Sequence, residues 1–184
     1  YMTYDSQKVK LVREILRKER KELNHVLIFA SSIKSVKEIR STLNRSGMKA
    51  SEMHSGLNQE VREKTIRDFK NGRVQILVAT DILSRGIDIK EIKLVINYEV
   101  PHDAEDYVHR IGRTARADRT GKAITFINPK QVKNFMQIEK LIGKEIKKLA
   151  LPKKFDKAPK YELPKSKKIK KPRGYFYKKS TSPK

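Results

Sequence analysis

The chain has 184 residues, enough for one compact domain and little beyond it. Its 44 Lys and Arg against 21 Asp and Glu give a formal charge of +23, a field that attracts polyanions and makes nucleic acid the leading partner. Without cysteine there is no disulfide, no thiolate metal ligand and no cysteine nucleophile; the four histidines lack zinc-finger spacing, and no apolar run approaches the roughly 20 residues that cross a bilayer.

In chain order, Val9, Leu11, Val12, Ile15 and Leu16 recur at helical spacing and predict an amphipathic helix over about 6–20. The run VLIFA at 26–30 has the length and β-branching of a buried strand. Ser31 or Ser32 then caps a helix with the apolar face Ile33, Val36, Ile39 and Leu43, ending near Gly47. The unit repeats: a strand at 49–54, a helix from Asn58 to Asn71 stopped by Gly72, and a buried strand at 74–79. A strand at 93–98, a helix over about 103–112 and a strand at 122–127 continue it. A last helix with Val132, Phe135, Ile138, Leu141, Ile142 and Ile146 closes the domain near Leu149.

Strands alternating with helices predict an α/β fold of three layers, a mainly parallel sheet covered on both faces, over residues 1–150. Ligands in such folds bind beyond the carboxyl ends of the strands, where ASS, HSG, TDILSRGID and NYEVP follow successive strands. Residues 151–184 hold 13 Lys and Arg against Asp156 and Glu162, with Phe155, Tyr161, Tyr175, Phe176 and Tyr177 interspersed. With so little aliphatic material, the segment reads as a disordered basic tail that binds RNA by charge and stacking.

The stretch HRIGRTAR places Arg110, Arg113 and Arg116 three residues apart. On a helix or helical turn they occupy adjoining ridges, and two planar guanidiniums can meet one phosphate. Alone, such a repeat is more often a solvated basic face. Here it stands last in a series. VLIFASS, QEVREKTIRDFKNG (Gln59, Arg62, Phe69 and Gly72 matching Q-x-x-R and F-x-x-G), ATDILSRGIDI, NYEVP and HRIGRTAR come in one order. In these five signatures the chain resembles the C-terminal RecA-like domain of DEAD-box RNA helicases. Ala115 stands where the commonest form of the last motif has glycine, as in bacterial members of the RhlE and SrmB types, which fixes no subfamily.

The resemblance implies roles residue by residue. Arg113 and Arg116 would be arginine fingers on the γ-phosphate of ATP, Asp88 a ribose ligand, and Gly86 a point of close backbone approach to the nucleotide. His109 and Arg110 would couple the nucleotide site to a partner domain. Gly56, Arg62 and Thr80 would contact the RNA backbone, giving affinity without sequence preference. Neither G-x-x-x-x-G-K-[ST] nor D-E-A-D occurs in the chain. The phosphate cradle and the carboxylates for Mg²⁺ are therefore expected on an N-terminal RecA-like domain of the same polypeptide. The opening YMTYDSQK, without an initiating Met, reads as a fragment beginning where an interdomain linker ends. The expectation is a cytoplasmic ATP-dependent RNA helicase whose isolated second domain is inactive as an ATPase. The alternatives are a non-catalytic RNA-binding or chaperone module and a DNA-translocating helicase of a related group.

Overall fold

The computed structural model describes residues 1–19, 25–81, 92–114, 121–155 and 157–163. In chain order the elements are α1 (Asp5–Lys18), β1 (Val26–Phe29), α2 (Ile33–Arg45), β2 (Ala50–Met53) and α3 (Gln59–Lys70). They continue with β3 (Ile76–Ala79), β4 (Leu94–Asn97), α4 (Ala104–Ile111), β5 (Lys122–Thr125), a 3₁₀ turn (Pro129–Gln131) and α5 (Val132–Ile142). Three helices start on a side-chain cap, the first at the serine pair expected to supply it. Ser32 Oγ accepts from the Ser35 amide at 3.1 Å, Asn58 Oδ1 from Val61 at 2.9 Å, and Asp103 Oδ1 from Glu105 at 3.0 Å.

The five strands form one sheet in the order β2-β3-β1-β4-β5, every pair parallel. Val26 and Ile28 face one layer, packed with Leu11, Val12, Val36, Ile39 and Leu43 of α1 and α2. Leu27 and Phe29 face the other, with Met53 and with Phe69 of α3. Burial on both faces is why β1 and β3 are continuous apolar runs. A third cluster joins Tyr107 of α4 to Val132, Phe135 and Ile138 of α5.

Phe69 is the one buried residue of α3. Phe69→Ala is expected to destabilise the domain by about 3–5 kcal/mol, measured by denaturant unfolding, because the cavity would open beneath the helix that carries Gln59 and Arg62.

Two expected core positions are exposed. Ile33, at the first position of α2, is 37% accessible and Leu141 is 53% accessible. Leu141 lies nine residues from Val132, half a turn out of phase at about 100° per residue, so it faces away from Val132. Helix α5 also ends earlier than expected. Gly143 adopts a left-handed φ of 64° and caps it at Ile142.

The segment read as a tail from residue 151 packs on the domain over its described part. Leu151 and Phe155 lie against the cluster of α1 and α2, and Lys154 pairs with Glu14. The Tyr161 ring meets Phe135 edge to face at 6.3 Å, and its hydroxyl donates to Glu139 Oε2 at 2.6 Å. Lys148 Nζ binds Glu139 Oε1 at 2.5 Å and sits 4.3 Å from the centre of the Tyr161 ring. Burial opposes ionisation of Glu139, but Lys148, the Tyr161 hydroxyl and the Ile146 amide outweigh it and hold the carboxyl below its usual range. Composition suggested a free arm; two aromatics with specific partners anchor its first part instead. Residues 164–184 lie outside the described residues.

Candidate nucleotide and RNA interface

Strand register fixes the geometry of the functional edge. Met53, Ala79, Phe29, Asn97 and Thr125 share one row across the sheet, and each is the last residue of its strand. Hydrogen bonds extend the ladder one step further. Thr80 N donates to Met53 O (3.1 Å), Ala30 N to Ala79 O (2.9 Å), Tyr98 N to Phe29 O (2.8 Å) and Phe126 N to Asn97 O (3.0 Å). The motifs that follow the strands therefore leave the sheet along a single line.

At one end of this line lie the residues expected to contact RNA. Gly56 is exposed in the turn after β2, and Thr80 leaves the adjacent β3 partly exposed. A side chain at Gly56 would crowd His54, its Cβ falling 3.2 Å from Nδ1. Arg62 is partly exposed on the first turn of α3, which Asn58 caps. The structure thus places Gly56 and Thr80 on neighbouring strand ends and Arg62 on the helix that follows.

Toward the centre of the line stands α4. Tyr107 and Arg110, three residues apart, are its buried face, while Val108 and His109 are exposed. Gly112 caps the helix, so Arg113 falls in the turn beyond it, where its Nε donates to the His109 carbonyl at 3.4 Å. Of the three arginines of the repeat, the first turns inward. Arg110 is 2% exposed, and its guanidinium faces inward to Asp81, donating from Nε at 2.8 Å and pairing through Nη2. Its Nη1 also reaches Asn97 Oδ1 (3.4 Å) and the Glu99 carbonyl (3.5 Å), and the group lies 5.1 Å from the centre of the Phe29 ring. These contacts are all within the domain. A cation buried this far from water requires such partners.

Asp81, Asn97 and Glu99 are site residues that the sequence reading did not single out. The available signal was position, since Asp81 follows Thr80 directly and Asn97 and Glu99 lie in NYEVP. Glu99 Oε2 accepts from the Ser31 amide at 2.9 Å, linking the ends of β1 and β4. Burial pushes the Glu99 carboxyl above its usual range, while the Ser31 amide pulls it the other way.

Gly86, Asp88 and Arg116 lie outside the described residues. The chain enters residues 115–120 at Thr114 and leaves them at Gly121, and these ends touch. Thr114 is held by its hydroxyl on the Ile92 carbonyl at 2.8 Å, and a Cβ on Gly121 would overlap the Thr114 hydroxyl and carbonyl. Gly121→Ala is therefore expected to destabilise the domain by about 2 kcal/mol or more in thermal unfolding, since backbone has to shift to admit the methyl group.

The pattern of the helicase conserved C-terminal domain matches residues 7–118. An ATP-dependent RNA helicase DeaD of Buchnera aphidicola is 37% identical over 153 residues, covering 83% of this chain and 25% of that protein. The chain thus spans about a quarter of that relative's length. A crystal structure of the Escherichia coli DEAD-box protein SrmB, bound to regulator of ribonuclease activity A, superposes with a TM-score of 0.76 at 30% identity, covering 86% of this chain and 94% of that one. Saccharomyces cerevisiae Dbp5 bound to RNA and ADP BeF3 superposes at 0.72 with 31% identity, covering 79% and 38%. On the family match over most of its folded part and on the order of its motifs, the chain belongs to the helicase conserved C-terminal domain family, as the C-terminal RecA-like domain of the DEAD-box group.

Proposed function

We propose that this domain is one half of an ATP-dependent RNA helicase, binding the RNA backbone along the ends of β2 and β3 and completing the ATP site from the end of α4. The observation that carries the reading is the convergence of two motifs at one sheet edge, where Arg110 joins the strand end bearing Thr80 and Asp81 to the helix end bearing His109 and Arg113.

In this reading Gly56, Arg62 and Thr80 hold phosphates of a single RNA strand. Arg113 and Arg116 meet the γ-phosphate of ATP delivered by the partner domain, and Gly86 and Asp88 line the nucleotide. Their guanidinium charge stabilises the transferring phosphoryl group. Arg113 donates from Nε to the carbonyl of His109, at the end of its own helix. His109, exposed beside it, faces that partner. Mg²⁺ is assigned to the partner domain, since the chain carries neither G-x-x-x-x-G-K-[ST] nor D-E-A-D. Residues 164–184, with nine Lys and Arg and no Asp or Glu, add an electrostatic hold on RNA. Together these parts would bend one strand and open short duplexes in the cytoplasm.

The test is to measure ATP hydrolysis by the full polypeptide with and without single-stranded RNA. Stimulation by RNA is expected, and its absence would leave the non-catalytic RNA-binding reading standing.

A further inference from the structure

The Arg110 guanidinium sits where the order of the sheet reverses. The chain runs from β1 out to β2, returns to β3, then crosses to β4 and β5 on the other side of β1. In open parallel sheets such a switch point leaves a crevice beyond the strand ends, the usual place for a ligand. Here an arginine of the domain itself fills it. Arg110 touches all three central strands: Asp81 past the end of β3, Phe29 at the end of β1, and Asn97 and Glu99 at the end of β4. With its side chain 3% exposed, it has no face left for a phosphate outside the domain.

The residues beside the pair are partly exposed. Thr80 precedes Asp81 directly, and Arg113 stands one turn beyond Arg110. Arg110 Nε and Nη2 both meet Asp81 Oδ1, and two nitrogens on one oxygen fix the orientation of the planar guanidinium as well as its distance, which a lysine ammonium does not. We propose that Arg110 and Asp81 form a positioning pair that makes the Thr80 strand end and the Arg113 helix end move as one body, so that RNA at the first sets the geometry of the nucleotide contact at the second. The proposal rests on the reading of Thr80 and Arg113 given above.

The measurement is the coupling factor of the full polypeptide, the ratio of its RNA dissociation constants without and with a non-hydrolysable ATP analogue. By linkage, RNA changes the affinity for the analogue by the same factor. Asp81→Asn and Arg110→Lys are each expected to lower this factor about fivefold or more, leaving RNA affinity without nucleotide within about threefold of wild type. The double variant is expected to be no worse than either single one, since both remove the same contact. Asp81→Asn keeps an oxygen that can accept from the buried guanidinium, as Asn97 Oδ1 and the Glu99 carbonyl still do, so it is expected to fold even if Arg110→Lys does not, and thermal unfolding of each checks this. A wild-type protein without coupling would sink the helicase reading itself. A coupled wild type whose folded Asp81→Asn variant keeps the same factor would overturn the pair alone. Equal loss of both affinities at a constant ratio, or additive effects of the two substitutions, would overturn it as well.

Discussion

Arg113→Ala in the full polypeptide is expected to lower RNA-stimulated ATP turnover by about 10³-fold, while RNA affinity without nucleotide stays within about threefold. The size follows from what the side chain is asked to do. Charge develops on the transferring phosphoryl group only in the transition state, so a guanidinium that meets it there affects turnover far more than binding. The structure also separates this arginine from Arg110. Arg110 is committed inside the domain to Asp81, whereas Arg113 lies past the Gly112 cap on a partly exposed turn, held at its own helix end by the His109 carbonyl at 3.4 Å. Arg113→Lys is expected to fall between wild type and Arg113→Ala, because it keeps the charge and loses the fork. Turnover and RNA affinity, measured side by side under saturating RNA, decide the matter: an Arg113→Ala enzyme within about threefold of wild-type turnover would remove Arg113 from the catalytic machinery.

Much of this arrangement was legible before any coordinates. Apolar runs such as VLIF and ILVA are short, β-branched and bounded by polar residues, so they announce strands buried on both faces, and the ladder confirms them within a residue or two. Ser32 caps α2 because a short side-chain acceptor at a helix start has an unpaired amide to satisfy, and Asn58 and Asp103, read only as helix starts, do the same. The inward turn of Arg110 was not legible. Its partner Asp81 is 29 residues away, and sequence spacing alone treats every arginine of a three-residue repeat alike. Only the sheet order, which brings the ends of β3 and β4 to either side of β1, shows that one of the three has a buried carboxamide and a carboxylate to meet. The anchored stretch after residue 150 was missed for a related reason. Its composition is that of a solvated chain, but Tyr161 needs only one ring, Phe135, and one acceptor, Glu139, to be fixed.

That anchoring changes how the basic tail has to be tested. Removing residues 151–184 as a block would delete the charge and, with it, Leu151, Phe155 and Tyr161, which pack on the clusters of α1, α2 and α5. Such a truncation is expected to lower Tm by about 5–10 °C, from the loss of about 2–3 kcal/mol of apolar contact. A chain ending at Leu163 keeps those contacts and loses nine Lys and Arg, with no acidic residue among them, together with Tyr175, Phe176 and Tyr177. Its Tm is expected to stay within about 2 °C of the full chain. Its affinity for single-stranded RNA at 50 mM salt is expected to fall roughly a hundredfold, and the slope of log K against log salt to shrink by about 2–3, as three or four phosphates go unneutralised at about 0.7 each. The loss narrows as salt rises, because displaced counterions supply the driving force. Titrations of both truncations at several salt concentrations separate charge from packing: if the chain ending at Leu163 binds RNA with the affinity and slope of the longer one, the tail is no part of the RNA site.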